Sequence, residues 1–274
     1  MIRAAPRRSL ANLAAILLSA ALAAAACDAP QASARPSPTR TPEPTPAKTT
    51  YDLSTDVWYE GLVVHVGQAI AILDARGGTI DVTMTIENPN AESSTLDAAI
   101  GLIVAGQRIE PTRDSQVPSI PAKESRLALV SFELQAIGSV EDGVLEIGAD
   151  PEHVARVPFT EAGGSAVTLQ PIEITTEGRG SAGDLRVQLR GGILRWDLPD
   201  WSLELPATTQ ALTLTYDATY TGSFSGGFPF TSENIALRLP NGEVVETRRD
   251  GRSQSIELIG AGKTKKNLIS RFEI

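Results

Sequence analysis

Residues Thr79–Glu87 alternate without a break: Ile80, Val82, Met84 and Ile86 fall on one side, and Asp81, Thr83, Thr85 and Glu87 on the other. A period of two is the signature of a strand with one buried and one wet face, and it excludes a helix over the same stretch. Asn88-Pro89-Asn90 then supplies turn chemistry. The same texture predicts strands at Leu62–Val66, Ala69–Leu73, Ala98–Val104, Leu127–Leu134, Val144–Ile147 and Ala155–Phe159, with turn residues at short intervals. No segment carries a 3.6-residue apolar stripe. The expected fold class is all-β, with antiparallel β-sandwiches.

The second half of the chain repeats the first faintly. Ala211–Ala218 matches Thr79–Ile86 in alternation, Gly242–Glu246 matches Gly106–Glu110, and Ser270–Ile274 matches Val130–Leu134. Val187, Leu189, Ile193 and Asp197 lie over Val64, Val66, Ile70 and Asp74. The order is kept while the offset drifts slowly, as loop insertions produce. A duplicated unit is one reading; two unrelated sandwiches is the other. The expected boundary is the turn-rich run Glu161–Ser165, which gives sandwiches at 51–162 and 163–274. The first copy continues past Phe132-Glu133-Leu134 into two more expected strands, whereas the second reaches Ile274 in the matching strand. The second sandwich is therefore expected either to lack its last strands or to be truncated.

The N-terminus has a different texture. Arg3, Arg7 and Arg8 precede a nearly continuous apolar run from Leu10 to Ala26, the pattern of a secretory signal peptide over 1–26. Residues 28–50 hold six prolines and seven Ser or Thr with no large apolar side chain. Such a segment cannot offset the entropy of ordering, and 27–50 is expected to be a disordered linker. In polyproline-II geometry its 23 residues reach at most roughly 70 Å. Cys27 is the only cysteine, so the fold must rest on hydrophobic burial without an internal disulfide.

Leu22-Ala-Ala-Ala-Ala-Cys27 resembles a bacterial lipoprotein box, although Ala24 stands where that family usually has leucine. The resemblance implies acylation of the Cys27 thiol and anchorage to the cell membrane, outside the cytoplasm. Ordinary secretory cleavage near Ala26 and an uncleaved helical anchor are the competing readings. Further on, Trp58-Tyr-Glu-Gly61, Gly78–Asn88, Val117–Ala122 and Leu129–Leu134 are similar to an immunoglobulin-like domain family of unknown function in bacterial surface lipoproteins. That family is related in fold to the mycobacterial immunoprotective extracellular proteins. The resemblance covers about 51–160 and implies an extracytoplasmic immunoglobulin-like fold. It brings no catalytic residues.

The chain has 24 Lys and Arg against 33 Asp and Glu, a net charge of −9. Loss of a leader carrying Arg3, Arg7 and Arg8 would deepen this to −12. A surface of that sign repels phosphate backbones, so no nucleic-acid partner is expected. His65 and His153 are the only histidines. His65 lies in an expected strand and His153 in the polar turn Asp150–His153, and nothing points to a Ser-His-Asp relay. No catalytic residue, metal or cofactor is expected. Copper and zinc lack a suitable ligand set. The acid pairs Glu141-Asp142 and Asp197/Asp200 are weak calcium candidates, without an Asp-x-Asp-x-Asp-Gly loop.

Two aromatic groups remain. Thr221–Phe230 holds Phe224, Phe228 and Phe230, half of the chain's six phenylalanines, among glycines. It replaces the polar Asn88–Ser94 of the first copy. Either it contacts a protein, glycan or lipid partner as loops at the end of a sandwich do, or its rings cap the second core. Trp196 and Trp201 flank a turn, where they either stack on a partner's sugars or pack as core residues. The expected function is that of a lipoprotein binding or interaction module without catalytic activity. A structural or accessory subunit of a cell-envelope assembly is the alternative, and a hydrolase with an unrecognised site is a third.

Overall fold

The computed structural model describes residues 45–175, 177–249 and 256–274. Regular structure among them is all β, apart from three single-turn 3-10 segments. The first half contains β1 (Ala47–Tyr59), β2 (Leu62–Asp74), β3 (Gly77–Glu87), β4 (Ile100–Val104), β5 (Gln107–Ile109), β6 (Ser125–Gln135), β7 (Val144–Ile147) and β8 (Ala155–Pro158). One antiparallel sheet runs β1-β2-β3-β6 and the other β5-β4-β7-β8. Their inner faces meet in a single core. Ile80, Val82, Met84 and Ile86 of β3 are at most 1% exposed, and Phe132, Leu102, Leu145 and Val157 are fully buried against them. Each such side chain contributes about 1.5–3 kcal/mol relative to its exposed state. The alternation of β3 is thus the direct cause of its placement.

β1 departs from expectation. Residues 47–50, assigned from composition to the linker, pair with Ile70–Leu73 of β2. Their own side chains are exposed; backbone hydrogen bonds to β2, rather than burial, make them a strand. Asn88, fully buried, fastens the loop after β3. Its amide donates to the carbonyls of Glu92 (2.8 Å) and Ile120 (3.0 Å), and its Oδ1 accepts from Asn90 N–H (2.9 Å).

The second half contains β9 (Ile172–Ile174), β10 (Gly178–Ala182), β11 (Leu185–Arg195), β12 (Asp197–Leu198), β13 (Leu203–Glu204), β14 (Ala211–Tyr220), β15 (Phe228–Phe230), β16 (Ala236–Arg238), β17 (Val244–Glu246), β18 (Glu257–Ile259) and β19 (Thr264–Glu273). Its main sheet runs β10-β11-β14-β19, with β9 also on β11, and hairpin pairs β12-β13, β15-β18 and β16-β17 surround it.

The register of the first half recurs here as far as Tyr216, beyond which β14–β19 has a shift that β3–β6 lacks. Val66 faces Met84, which faces Ala128; Leu189 faces Tyr216, which faces Leu268. A bulge interrupts β2 between Val66 and Gln68, and another interrupts β11 between Leu189 and Gly191. An extra residue at the same step of both sheets sets the same local twist. The second core is nevertheless smaller: Leu185, Tyr216, Ala218, Tyr220, Phe230, Ile259 and Leu268.

The 3-10 turn Glu161–Gly163 falls on the expected boundary, but the chain stays with the first half beyond it. Val167 bridges Arg156 in both directions (2.8 and 2.9 Å), Trp58 N–H donates to Thr168 O (2.9 Å), and Leu169 packs on the first core.

Candidate functional site: aromatic loop and inter-half joint

Strand β14 carries the chain outward to the loop Thr221–Gly227. Tyr216 and Tyr220, two turns of the pleat apart on its inner face, receive the rings that follow. Phe230 is 1% exposed and meets Tyr216 edge-on, with centroids 6.0 Å apart. Phe228 is half-buried and stacks on Tyr220 at 5.7 Å. Phe224 stays outside, 67% exposed. Its ring lies over Gly226, where even a Cβ would meet it at 2.5 Å. Gly227 has φ +77° with Ile259 O only 2.8 Å from any Cβ, so glycine alone fits there. The loop thus divides its three rings: two root it in the second core and one projects.

Trp196 precedes the β12–β13 hairpin and Trp201 lies in its connection. Trp196 is half-buried and its carbonyl accepts Leu205 N–H (2.9 Å); Trp201 ends the 3-10 turn Pro199–Trp201 and is 52% exposed. Cys27 lies outside the described residues, as does the leader.

The hairpin carries a feature that composition did not announce. The β1–β2 connection is a two-residue turn, Glu60-Gly61, with φ +50° and +80°. That is type I′ geometry, usually built from Asn-Gly or Asp-Gly. Its backbone N–H groups point into β12–β13. Glu60 N–H donates to Glu204 Oε2 (3.2 Å) and Gly61 N–H to Asp197 Oδ2 (2.6 Å). Arg195 clamps Asp197 through two bonds of 2.6 and 3.0 Å. The Glu60 carboxylate accepts Asp97 N–H (3.0 Å), and Tyr59 Oη donates to Glu152 (3.0 Å). Glu60, Asp197 and Glu204 are 8%, 4% and 3% exposed.

The three acids therefore sit closed in at the joint between halves. Burial pushes the Glu204 carboxyl up to about 9, with nearby carboxylates adding to it. Its Oε1 has no hydrogen-bond partner among the described residues. Burial also raises Glu60 and lowers His153, whose Nδ1–H donates to Leu205 O (3.0 Å). His153 Nδ1 is 3.6 Å from Glu204 Oε1, yet both groups are held neutral near pH 7, so no ion pair forms. The signal in the sequence was a glutamate where a tight hairpin wants Asn or Asp before Gly. It becomes readable only once the β1–β2 register is known.

His65 projects from β2 with Nδ1 2.6 Å from Asp56 and Nε2 3.4 Å from Glu87, and the Asp56 bond raises its pKa. Of the calcium candidates, Asp142 accepts Ala105 N–H (3.2 Å) and Asp200 pairs with Arg271 (3.0 Å). Among the described residues no group of three or more His, Cys, Asp and Glu is arranged to hold a metal ion. No helix among them is long and apolar enough to cross a membrane.

No protein-family model matches the sequence, and no curated protein matches it. A crystal structure of a conserved hypothetical protein from Bacillus anthracis is similar over 40% of this chain and 96% of its own, at 11% identity and a TM-score of 0.30. A likeness at that level carries no functional reading.

Proposed function

We propose that this chain is an extracytoplasmic lipoprotein, held to the cell membrane through Cys27, whose two immunoglobulin-like units act as a binding module without catalytic activity. The observation that carries the reading is Phe224. A phenylalanine ring costs solvation when exposed, and this one is held out by a loop whose other two rings are anchored beneath it. Trp201 offers a second exposed ring. An aromatic tip on a rooted loop suits a protein or glycan surface.

The test separates stability from binding. Phe224→Ala is expected to change the unfolding free energy by less than about 0.5 kcal/mol, since the ring is exposed. It is expected to lose partners recovered when the tagged protein is isolated from native membranes. Equal recovery of the same partners by Phe224→Ala and the parent would remove the loop from the reading.

A further inference from the structure

The two halves share a sheet but differ on its polar face. With Val187 packed on the second core, the pleat turns Arg186 and Gln188 outward. Register then places Arg179, Arg186, Gln188 and Thr219 where the first half has Asp56, Val63, His65 and Glu87. In the first half this outer face is acidic, with His65 held between Asp56 (2.6 Å) and Glu87 (3.4 Å). In the second half its sign is reversed. A sheet with one wet face asks only for polar side chains there, so folding does not require the reversal.

Arg179 stands opposite Gln188, and Arg186 opposite Ser181. The two arginines are therefore diagonal neighbours, with Cα atoms roughly 7–8 Å apart. Both are exposed, and neither makes an ion pair among the described residues. Other arginines of this half are neutralised: Arg195 holds Asp197 and Arg271 holds Asp200. Asp217, the acid on this face, is taken by Arg190 (3.0 and 2.6 Å) and by Asn267 N–H (3.1 Å). Together with Ser181, Gln188 and Thr219, Arg179 and Arg186 line an open hollow of about 670 Å³, and no carboxylate of the described residues lines it. Like charges at that spacing repel. The chain has acids in excess, with a net charge of −9, yet none is placed to relieve them.

The aromatic loop begins where this face ends. Thr221 donates from its N–H (2.8 Å) and its Oγ1 (2.9 Å) to the carbonyl of Asp184, in the β10–β11 turn. An extended ligand lying along the hollow thus runs toward the root of the loop that carries Phe224.

We infer that this hollow binds an acidic polysaccharide: the guanidiniums of Arg179 and Arg186 take carboxylates of the polymer, and Ser181, Gln188 and Thr219 take hydroxyls of the rings between. A guanidinium presents a planar fork that meets a carboxylate with two bonds. The carboxylates of such a polymer are separated by neutral, hydroxyl-bearing rings, as the two arginines are separated by hydroxyl and amide groups. Val187 alone among the lining residues is aliphatic, whereas a protein partner's anchor residue needs an apolar pocket. The net negative charge of the chain disfavours a polymer as densely charged as polyphosphate. The proposal rests on the binding-module reading and assigns that module a class of ligand.

The probe is polygalacturonate of defined length, titrated into the full-length protein by isothermal calorimetry at low salt. Saturable binding is expected, and the fully methyl-esterified polymer is expected to bind at least tenfold more weakly. The double variant Arg179→Gln/Arg186→Gln is expected to weaken binding at least tenfold with the melting temperature unchanged, because both side chains are exposed. Arg179→Lys keeps the charge without the fork and is expected to weaken binding several-fold. Arg238→Gln, exposed on β16, is the control and is expected to bind as the parent does. Absence of saturable binding, equal binding by the double variant, equal binding of the esterified polymer, or an equal loss in Arg238→Gln overturns the proposal. So does tighter binding of polyphosphate that the double variant abolishes, which would make a phosphate polymer the occupant. Polygalacturonate that fails to bind while Phe224-dependent partners are still recovered removes this ligand and leaves the module standing.

Discussion

A Gly61→Val variant is expected to lose about 3 kcal/mol of stability, read as a lowered urea midpoint. Two costs combine. At φ +80° a β-branched residue is strained, and a Cβ there would lie 2.6 Å from Pro199 Cα. The hairpin that carries Asp197 and Glu204 must then move away, and the two buried bonds from backbone N–H groups to their side-chain oxygens are lost with it. Because these are contacts between the halves, the variant is also expected to unfold in two steps where the parent unfolds in one. Gly180→Ala, at an open site with ordinary φ, serves as the neutral control. An unchanged midpoint in Gly61→Val would mean that the hairpin tip does not dock on β12–β13.

The second large effect is on pH dependence. Glu204 in the folded chain holds its proton up to about 9, against 4.5 when unfolded. Below 4.5 both states are protonated and its contribution to stability is complete. Above 4.5 the unfolded state releases the proton first, so stability falls as pH rises through about 9. His153 works in the opposite sense. Its folded pKa is lowered, so stability rises with pH up to about 6.5 and gains nothing further beyond. Across the window from pH 7 to pH 9, Glu60 and His65, whose folded pKa values are also raised, act in the same direction as Glu204, so the share of Glu204 is read as the difference between the parent and a variant that cannot ionise there. At about 1.4 kcal/mol per pH unit for one proton, the parent is expected to lose about 2–3 kcal/mol across it. Glu204→Gln cannot ionise at that position and is expected to lose distinctly less across the same window. Chemical denaturation at pH 7, 8 and 9 measures both, and parallel curves would show that Glu204 is ionised in the folded protein.

The strands that sequence made legible are those whose side chains alternate strictly. β3 is recognisable because Ile80, Val82, Met84 and Ile86 recur at every second position and all four are buried. The matched positions Val66 and Leu189, and the alternation shared by β3 and β14, were likewise visible as pattern. β1 was missed over its whole length: Lys48, Thr49, Thr50 and Asp52 resemble the Pro/Thr-rich run before them, and these residues become a strand by pairing with β2. β10, Gly178-Arg-Gly-Ser-Ala182, has no apolar alternation at all and owes its conformation to β11. The same physics explains the site. Phe224, Phe228 and Phe230 stood out by composition, but which ring projects depends on where Tyr216 and Tyr220 fall on β14. The buried acids stayed invisible because Glu60 and Glu204 are 144 residues apart in the chain and meet only across the joint.

The most direct test of the account is to place a photo-crosslinking amino acid at position 224 of the full-length protein and irradiate native membranes, with Thr83, on the outer face of β3, as the control position. A discrete crosslinked species formed from position 224 and not from position 83 is the predicted result. Identical patterns from the two positions, or crosslinks from neither, would contradict an aromatic loop built to meet a partner.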